Sequence, residues 1–199
     1  MKINNLIARL SSTLLIAGML FLAGCVSAPP SSTGISQATN KSGLNEKYRS
    51  EYLRALNALE EKNYKPASVT LNKVMADNPG FVEGWANLAL AQLHAGDIQA
   101  AKQSVNNALQ LDQQAGLYNL AGLVAAEDGA YKTAEQHYAR AIQINPNLAN
   151  AHYNLALLND IYYQNITKAI QYYERYLALI NDADPDTEAW VQELKRNLK

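Results

Sequence analysis

The chain has 199 residues, of which 48% are hydrophobic and 18% are charged, a composition typical of one globular domain with an apolar segment added. Its formal net charge is −1, and no basic stripe with interleaved aromatic residues occurs, so the sequence argues against a nucleic-acid-binding protein. A single cysteine excludes an internal disulfide, so packing alone must hold the fold together.

The first predicted element is a secretory signal peptide over residues 1–24. Lys2 and Arg9 occur near the start without any acidic residue, and an almost unbroken apolar run follows over residues 14–25. This run is too short to cross a bilayer comfortably, because a transmembrane helix needs roughly 20 apolar residues. A basic start, a short apolar run and small residues at its end are typical of an exported precursor.

The signal ends in Leu22, Ala23, Gly24 and Cys25, which resembles the lipobox of bacterial lipoprotein precursors. The resemblance implies that the Cys25 thiol receives a diacylglycerol, that signal peptidase II cuts before it, and that acyl chains such as palmitate anchor the protein to a membrane. The alternative is an incidental thiol. Because Val26 follows, and not the aspartate that often marks inner-membrane retention in enterobacteria, the resemblance implies an outer-membrane protein facing the periplasm.

Residues 25–43 form the next segment, which we predict to be the lipidated cysteine and a flexible tether. Beyond Cys25 the segment consists mainly of Ser, Thr, Pro, Gly, Asn and Gln. Such a composition cannot bury enough apolar surface to fold. A flexible chain of this length has a reach of roughly 20 to 25 Å, which would keep the following domain close to the membrane.

Beyond Leu44 the sequence repeats itself. Ala67, Ala101, Ala134 and Ala169 occupy equivalent places at separations of 34, 33 and 35 residues, with a bulky residue four positions after each. The pattern resembles the tetratricopeptide repeat, a helix pair with a period of 34 residues. Small residues at these places let two packed helices approach closely.

The resemblance implies an all-α fold, a right-handed superhelical solenoid of about four helix pairs over residues 44–183. The predicted repeats span residues 48–81, 82–114, 115–148 and 149–183. Gly96 and Gly129 are expected to adopt positive φ at the end of the first helices, and Asn63 and Asp97 to cap the second helices. The fourth repeat has one extra residue before Asn165, which leaves the pairing of its helices open.

Residues 184–199 are predicted to form a capping helix that shields the last repeat from solvent. Asp184 fits the N-cap position, and Pro185 fits the first helical position. One apolar stripe is predicted along this helix, made of Trp190, Val191, Leu194 and Leu198.

The sequence contains no recognisable catalytic, metal-binding or cofactor-binding motif. His94, His137 and His152 are too far apart to form a His-x-x-x-His pair of metal ligands. No nucleophile elbow, phosphate loop or dinucleotide fingerprint occurs. We therefore expect no catalytic residue, no metal and no cofactor, and we expect a binding protein and not an enzyme.

Two candidate binding surfaces follow. The resemblance implies a concave groove lined by the first helices that holds a peptide, with Asn87, Asn119 and Asn154 as its hydrogen-bonding residues. Those asparagines could equally be tolerated at exposed helix positions. A carboxylate clamp is not expected, because His94, Glu127 and Ile161 stand where the family places the farther basic residues.

The second candidate is a tyrosine patch of Tyr162, Tyr163 and Tyr172, which exceed what the repeat pattern requires. Aromatic side chains with a polar tip are enriched at protein interfaces, whereas core packing is the alternative role for these three.

A lipobox followed by tetratricopeptide-like repeats resembles the architecture of type IV pilus pilotins and other outer-membrane adaptor lipoproteins. The resemblance implies a protein–protein interaction scaffold, held by its lipid anchor, that binds unidentified envelope proteins and no nucleic acid. The alternative is a self-associating protein that organises an envelope complex, for example in pilus or secretin assembly or in a TonB-like system.

Overall fold

A computed structural model describes residues 43–181 and 183–198, all within one compact unit, Ala38–Lys199. The predicted signal peptide, Cys25 and nearly all of the tether lie outside the described residues. Within the described part, every regular element is helical. None of these helices is long and apolar enough to span a membrane.

Nine α-helices follow one another along the described chain. They are α1 Arg49–Glu60, α2 Tyr64–Asp77, α3 Val82–His94, α4 Ile98–Leu111, α5 Ala115–Glu127, α6 Tyr131–Ile144, α7 Ala149–Leu157, α8 Ile166–Leu179 and α9 Pro185–Asn197. Each helix packs against the next one in the chain. The predicted all-α solenoid of four helix pairs and a closing helix is therefore confirmed.

Small and large residues alternate in the seam of each helix pair. The four alanines that define the repeat are completely buried, and the bulky residues four positions later are at most 2% exposed, namely Leu71, Val105, Tyr138 and Tyr173. The α5–α6 approach is especially close, since a Cβ atom on Gly122 would lie 2.3 Å from a ring carbon of Tyr138. The small residues of the repeat pattern thus mark the positions where the two helix backbones of a pair lie closest to each other.

The turn inside each helix pair contains a residue with positive φ, five positions before the buried alanine. Lys62, Gly96, Gly129 and Gln164 have φ values of 62°, 83°, 75° and 52°. The expectation for the two glycines is confirmed, and the other two units place side-chain-bearing residues in the same conformation. In the second unit the turn closes when the Asp97 amide donates to the Gln92 carbonyl at 2.9 Å.

The extra residue of the fourth unit is absorbed by a π-helical turn, Leu158–Tyr162, that continues α7. The Tyr163 amide donates to the Leu158 carbonyl at 3.1 Å, and the Asn165 amide donates to the Asn159 carbonyl at 2.8 Å. This turn widens the helix by one residue without moving the start of α8. The α7 and α8 helices consequently pack as a normal pair.

The capping predictions are confirmed in part. Asp97 accepts a hydrogen bond from the Ala100 amide at 3.4 Å and caps α4 as expected. Asn63 occupies the N-cap position of α2, but its side chain makes no capping hydrogen bond, so that part of the prediction is wrong. Its side-chain amide donates to Glu61 at 2.9 Å, so its orientation is set by the acidic neighbour and not by the helix that follows.

The closing helix α9 packs on the last repeat. Asp184 accepts from the Thr187 amide at 3.0 Å and from the Tyr176 hydroxyl at 3.0 Å, which ties the start of α9 to α8. Val191 and Leu194 are buried. Leu198 is 53% exposed, so its predicted place in the buried stripe is wrong. The reason is that α9 ends at Asn197, and Leu198 lies beyond the part that covers α8.

Candidate functional site

The first helices of neighbouring pairs lie side by side. Direct contacts join α1 to α3, α3 to α5, and α5 to α7, whereas each second helix packs against its own partner and the next first helix. The solvent-facing stripes of α1, α3, α5 and α7 therefore form one shared surface, which we call the inner face. Residues three or four positions apart on each of these helices point toward it.

The predicted asparagines link neighbouring repeats at the inner face. The side-chain amide of Asn87 donates to the Tyr52 hydroxyl at 2.7 Å, and that of Asn154 donates to the Asn119 side-chain oxygen at 2.9 Å. Asn119 is buried, while Asn87 and Asn154 are half-buried. The structure thus brings Asn119 and Asn154 together and places Asn87 with a different partner. Ligand binding by these three residues stays a prediction.

Tyr52 is a site residue that the sequence did not indicate, because its repeat departs from the family pattern, with Glu51 and Arg54 where the family prefers Trp and Leu. Burial raises the pKa of its hydroxyl to about 12, so the phenol stays protonated at neutral pH. Its separation of 35 residues from Asn87 is the same as that between Asn119 and Asn154. This common spacing was the available signal.

Four leucines lie at equivalent positions of the first helices, and Leu90, Leu123 and Leu157 also pack against the core. Leu56, Leu90, Leu123 and Leu157 are half-buried, are separated by 34, 33 and 34 residues, and so occupy the same place in each first helix. We call these four residues the leucine row. Leucines are common in helices, so the row was not singled out from the sequence, although its period is visible there.

The charges of units two to four are divided between the two helix types. Helices α3, α5 and α7, with the π-helical turn, contain no lysine or arginine and carry the acids Glu83, Glu127 and Asp160. Basic residues lie on the second helices instead, namely Lys102, Lys132, Arg140, Lys168 and Arg175. His94, whose ring stacks on Tyr64 at 4.8 Å, has its pKa lowered by burial and is neutral at pH 7. The inner face of these units is therefore apolar and acidic.

Two of the three predicted patch tyrosines are exposed together. Tyr162 and Tyr163 are 48% and 39% exposed, next to the exposed Ile161. The Tyr162 ring stacks on Tyr131 with centroids 3.8 Å apart. Tyr172 is only half-buried and packs against the core between helices, with its ring 6.2 Å from that of His152. We call Ile161, Tyr162 and Tyr163 the exposed aromatic edge.

Asp160 joins the π-helical turn to the closing helix. Its Oδ2 atom accepts hydrogen bonds from the Trp190 indole at 2.7 Å and from the Tyr173 hydroxyl at 3.2 Å. Burial raises the pKa of Asp160, although these two hydrogen bonds oppose the increase. Within residues 43–181 and 183–198, no cluster of three His, Cys, Asp or Glu side chains could hold a metal ion.

Comparisons with known proteins identify the repeat. The model of the tetratricopeptide repeat family matches residues 82–114 and 115–148. No curated protein matches the chain. Among solved structures, pilF of Pseudomonas aeruginosa is similar with a TM-score of 0.68 and 24% identity, covering 76% of this chain and 69% of pilF.

Two other solved structures show the same fold. A crystal structure of MamA has a TM-score of 0.55 and 25% identity, covering 63% of this chain and 73% of MamA. TTC0263, a thermophilic protein of Thermus thermophilus with the same repeat, has a TM-score of 0.65 and 19% identity, covering 80% of this chain and 86% of its own. Residues 82–148 therefore match the tetratricopeptide repeat model, and the described helices as a whole form an all-α solenoid of that repeat type.

Proposed function

We propose that the protein is a scaffold that binds other proteins of the cell envelope on its inner face, held near the outer membrane by a lipid on Cys25. The observation that carries the proposal is the inner face itself. It runs across four repeats and combines half-buried leucines with polar side chains. A surface of this kind fits one side of a protein segment that lies across several repeats.

Membrane attachment is supported by the sequence at the start of the chain. Leu22, Ala23, Gly24 and Cys25 match a lipobox, and the polar tether that follows would let the helical domain move within a short distance of the bilayer. Val26 favours the outer membrane. The repeat domain would then face the periplasm and meet partners only close to that membrane.

A binding role, as opposed to catalysis, is supported by the family and by the chemistry of the inner face. Its polar groups are side-chain amides, carboxylates, the Tyr52 hydroxyl, the Arg49 guanidinium and one neutral histidine, spread over four helices. In the described part of the chain, His94, His137 and His152 lie on three different helices and contact tyrosines, not carboxylates. Such surfaces recognise partners through area and charge.

Replacement of Cys25 tests the anchor. We expect the Cys25→Ser protein to remain uncleaved and to incorporate no labelled palmitate, because serine lacks the thiol that receives the diacylglycerol. Val26→Asp is the matched control, since it should keep lipidation and move the protein to the inner-membrane fraction. Normal processing of Cys25→Ser would refute the anchor.

Self-association is a second candidate function, and the exposed aromatic edge favours it. Ile161, Tyr162 and Tyr163 present three consecutive large side chains to solvent. If this edge joins two copies, sedimentation of residues 38–199 should show a concentration-dependent dimer that Tyr162→Ser with Tyr163→Ser abolishes. A monomer at all concentrations would reject self-association as the main role.

A further inference from the structure

The leucine row has a spacing that suits a helix. Neighbouring packed helices lie about 10 Å apart, so the four leucines repeat at about that distance across the inner face. In an α-helix, residues seven positions apart are separated by about 10.5 Å. A helix with one apolar stripe, about 20 residues long, could therefore place an apolar residue against each leucine. The half-buried leucines provide the apolar contact.

The bonds between the inner-face asparagines and the neighbouring repeats leave fewer polar groups for the backbone of an extended peptide. An extended peptide needs hydrogen bonds to its exposed backbone. The side-chain amides of Asn87 and Asn154 already donate to Tyr52 and Asn119 in the neighbouring repeats. A helix satisfies its own backbone and needs mainly apolar contact, which the leucine row supplies.

The acidic residues of the inner face favour a partner segment with positive charge. In units two to four it contains Glu83 and Glu127, both exposed, without any lysine or arginine. In unit one, Arg49 lies seven positions before Leu56 and is paired with Glu46 at 2.8 Å, whereas the exposed Arg54 lies two positions before Leu56, on another side of α1. A segment with acidic flanks would meet uncompensated repulsion, whereas lysines or arginines would meet carboxylates.

We infer that the inner face binds a cationic amphipathic helix of a partner protein, with its apolar stripe on the leucine row and its basic residues beside Glu83 and Glu127. This inference rests on the proposed scaffold function and names the chemical class of the partner. The contact with Leu90 and Leu123 supplies affinity through apolar burial. The contact with the glutamates supplies orientation and discrimination against acidic segments.

The test uses two labelled helical peptides of about 20 residues, each with a leucine stripe. One carries lysines on its flanks, and the other carries glutamates at the same positions. Binding to residues 38–199, which contain every described helix and its core, is followed by fluorescence anisotropy. The lysine peptide should bind at least tenfold more tightly. Its affinity should fall when ionic strength rises from about 0.01 M to about 0.15 M, because the Debye length shortens from about 30 Å to about 8 Å.

Charge reversal on the inner face should exchange the two preferences. Glu83→Lys with Glu127→Lys changes two exposed residues, so the fold should be retained, and the glutamate peptide should become the tighter ligand. Asp77→Lys with Asp112→Lys is the matched control, and its folding is checked by thermal melting because Asp77 pairs with Lys47 at 3.7 Å on the surface. It makes the same change of net charge at the C-terminal ends of α2 and α4, where a cation suits the helix dipole. The control should keep the preference for the lysine peptide.

Replacement of Leu90 and Leu123 by Ser should weaken the lysine peptide at least tenfold, with folding checked by thermal melting. The inference is overturned if the glutamate peptide binds as well as the lysine peptide, or if the control variant changes binding as much as the inner-face variant. If neither peptide binds but a partner protein cross-links to the inner face in cells, only the partner class is refuted. If neither peptide binds and no partner protein cross-links to the inner face, the scaffold function is refuted as well.

Discussion

Single residues at the turns explain how four unequal sequences form equal helix pairs. Gly96 and Gly129 adopt positive φ without cost, because glycine has no Cβ atom. Lys62 and Gln164 adopt the same conformation with a side chain. For a residue with a Cβ atom, this left-handed backbone conformation costs about 1–2 kcal/mol. The packing of each helix pair therefore overrides the local preference of its turn.

We predict that Gln164→Gly raises the free energy of unfolding by about 0.5–1 kcal/mol. The gain from relieving the positive φ exceeds the greater entropy that glycine gives to the unfolded chain. Chemical denaturation measures the difference. Gly129→Ala is the matched opposite change and should lower stability by a similar amount. A loss of stability in Gln164→Gly would show that the Gln164 side chain makes a contact worth more than the strain.

Asp160 gives a prediction of pH dependence. Because burial raises its pKa above the ordinary value of 3.8, the folded state binds the proton more tightly than the unfolded state does. Its contribution to stability is therefore greatest below pH 3.8 and is lost as the pH rises through the raised pKa. Asp160→Asn removes this titration and keeps an oxygen that can accept from Trp190 and Tyr173.

Melting temperatures at neutral pH and near pH 4 check this prediction. Asp160→Asn should melt at or above the wild-type temperature at neutral pH, and the difference should shrink toward pH 4. Asp160→Ala should melt lower, because the Trp190 indole loses its acceptor. Equal destabilisation by both variants would contradict the role assigned to burial.

At the scale of elements, the alanine period was sufficient to predict the four helix pairs. Small residues recur where backbones approach, and that requirement is visible in sequence. The π-helical turn was not predictable, because one extra residue can be accommodated equally by a loop or by a wider helical turn. Leu198 was assigned wrongly because the stripe of α9 continues in sequence beyond the point where α8 offers a surface.

The closing helix supplies a matched pair of substitutions. Leu194 is 6% exposed and Leu198 is 53% exposed, four positions farther along the chain. Leu194→Ala should lower the free energy of unfolding by about 2–4 kcal/mol, because it leaves a cavity against α8. Leu198→Ala should change it by less than about 0.5 kcal/mol. Urea denaturation measures the free energy of unfolding of both variants. Equal losses of stability would mean that α9 does not pack on α8 as described.

At the scale of the whole described unit, the inner face exists only because first helices meet first helices. The sequence pointed to Asn87, Asn119 and Asn154 through the family resemblance, but not to Tyr52 and not to the bond between Asn119 and Asn154. Those partners depend on the rotation of each helix about its axis, since each bond joins residues 35 positions apart. The leucine row and the division of charge could have been found in the sequence once this rotation was known.

The central claim is that the inner face binds an envelope protein in the cell, and site-specific photo-cross-linking tests it most directly. A photoreactive amino acid replaces Leu123 on the inner face or, as the control, the exposed Lys132 on α6, in the full-length lipidated chain. We predict a discrete cross-linked protein from Leu123 in the outer-membrane fraction and none from Lys132. Absence of a product from Leu123, or the same product from both positions, would contradict the claim.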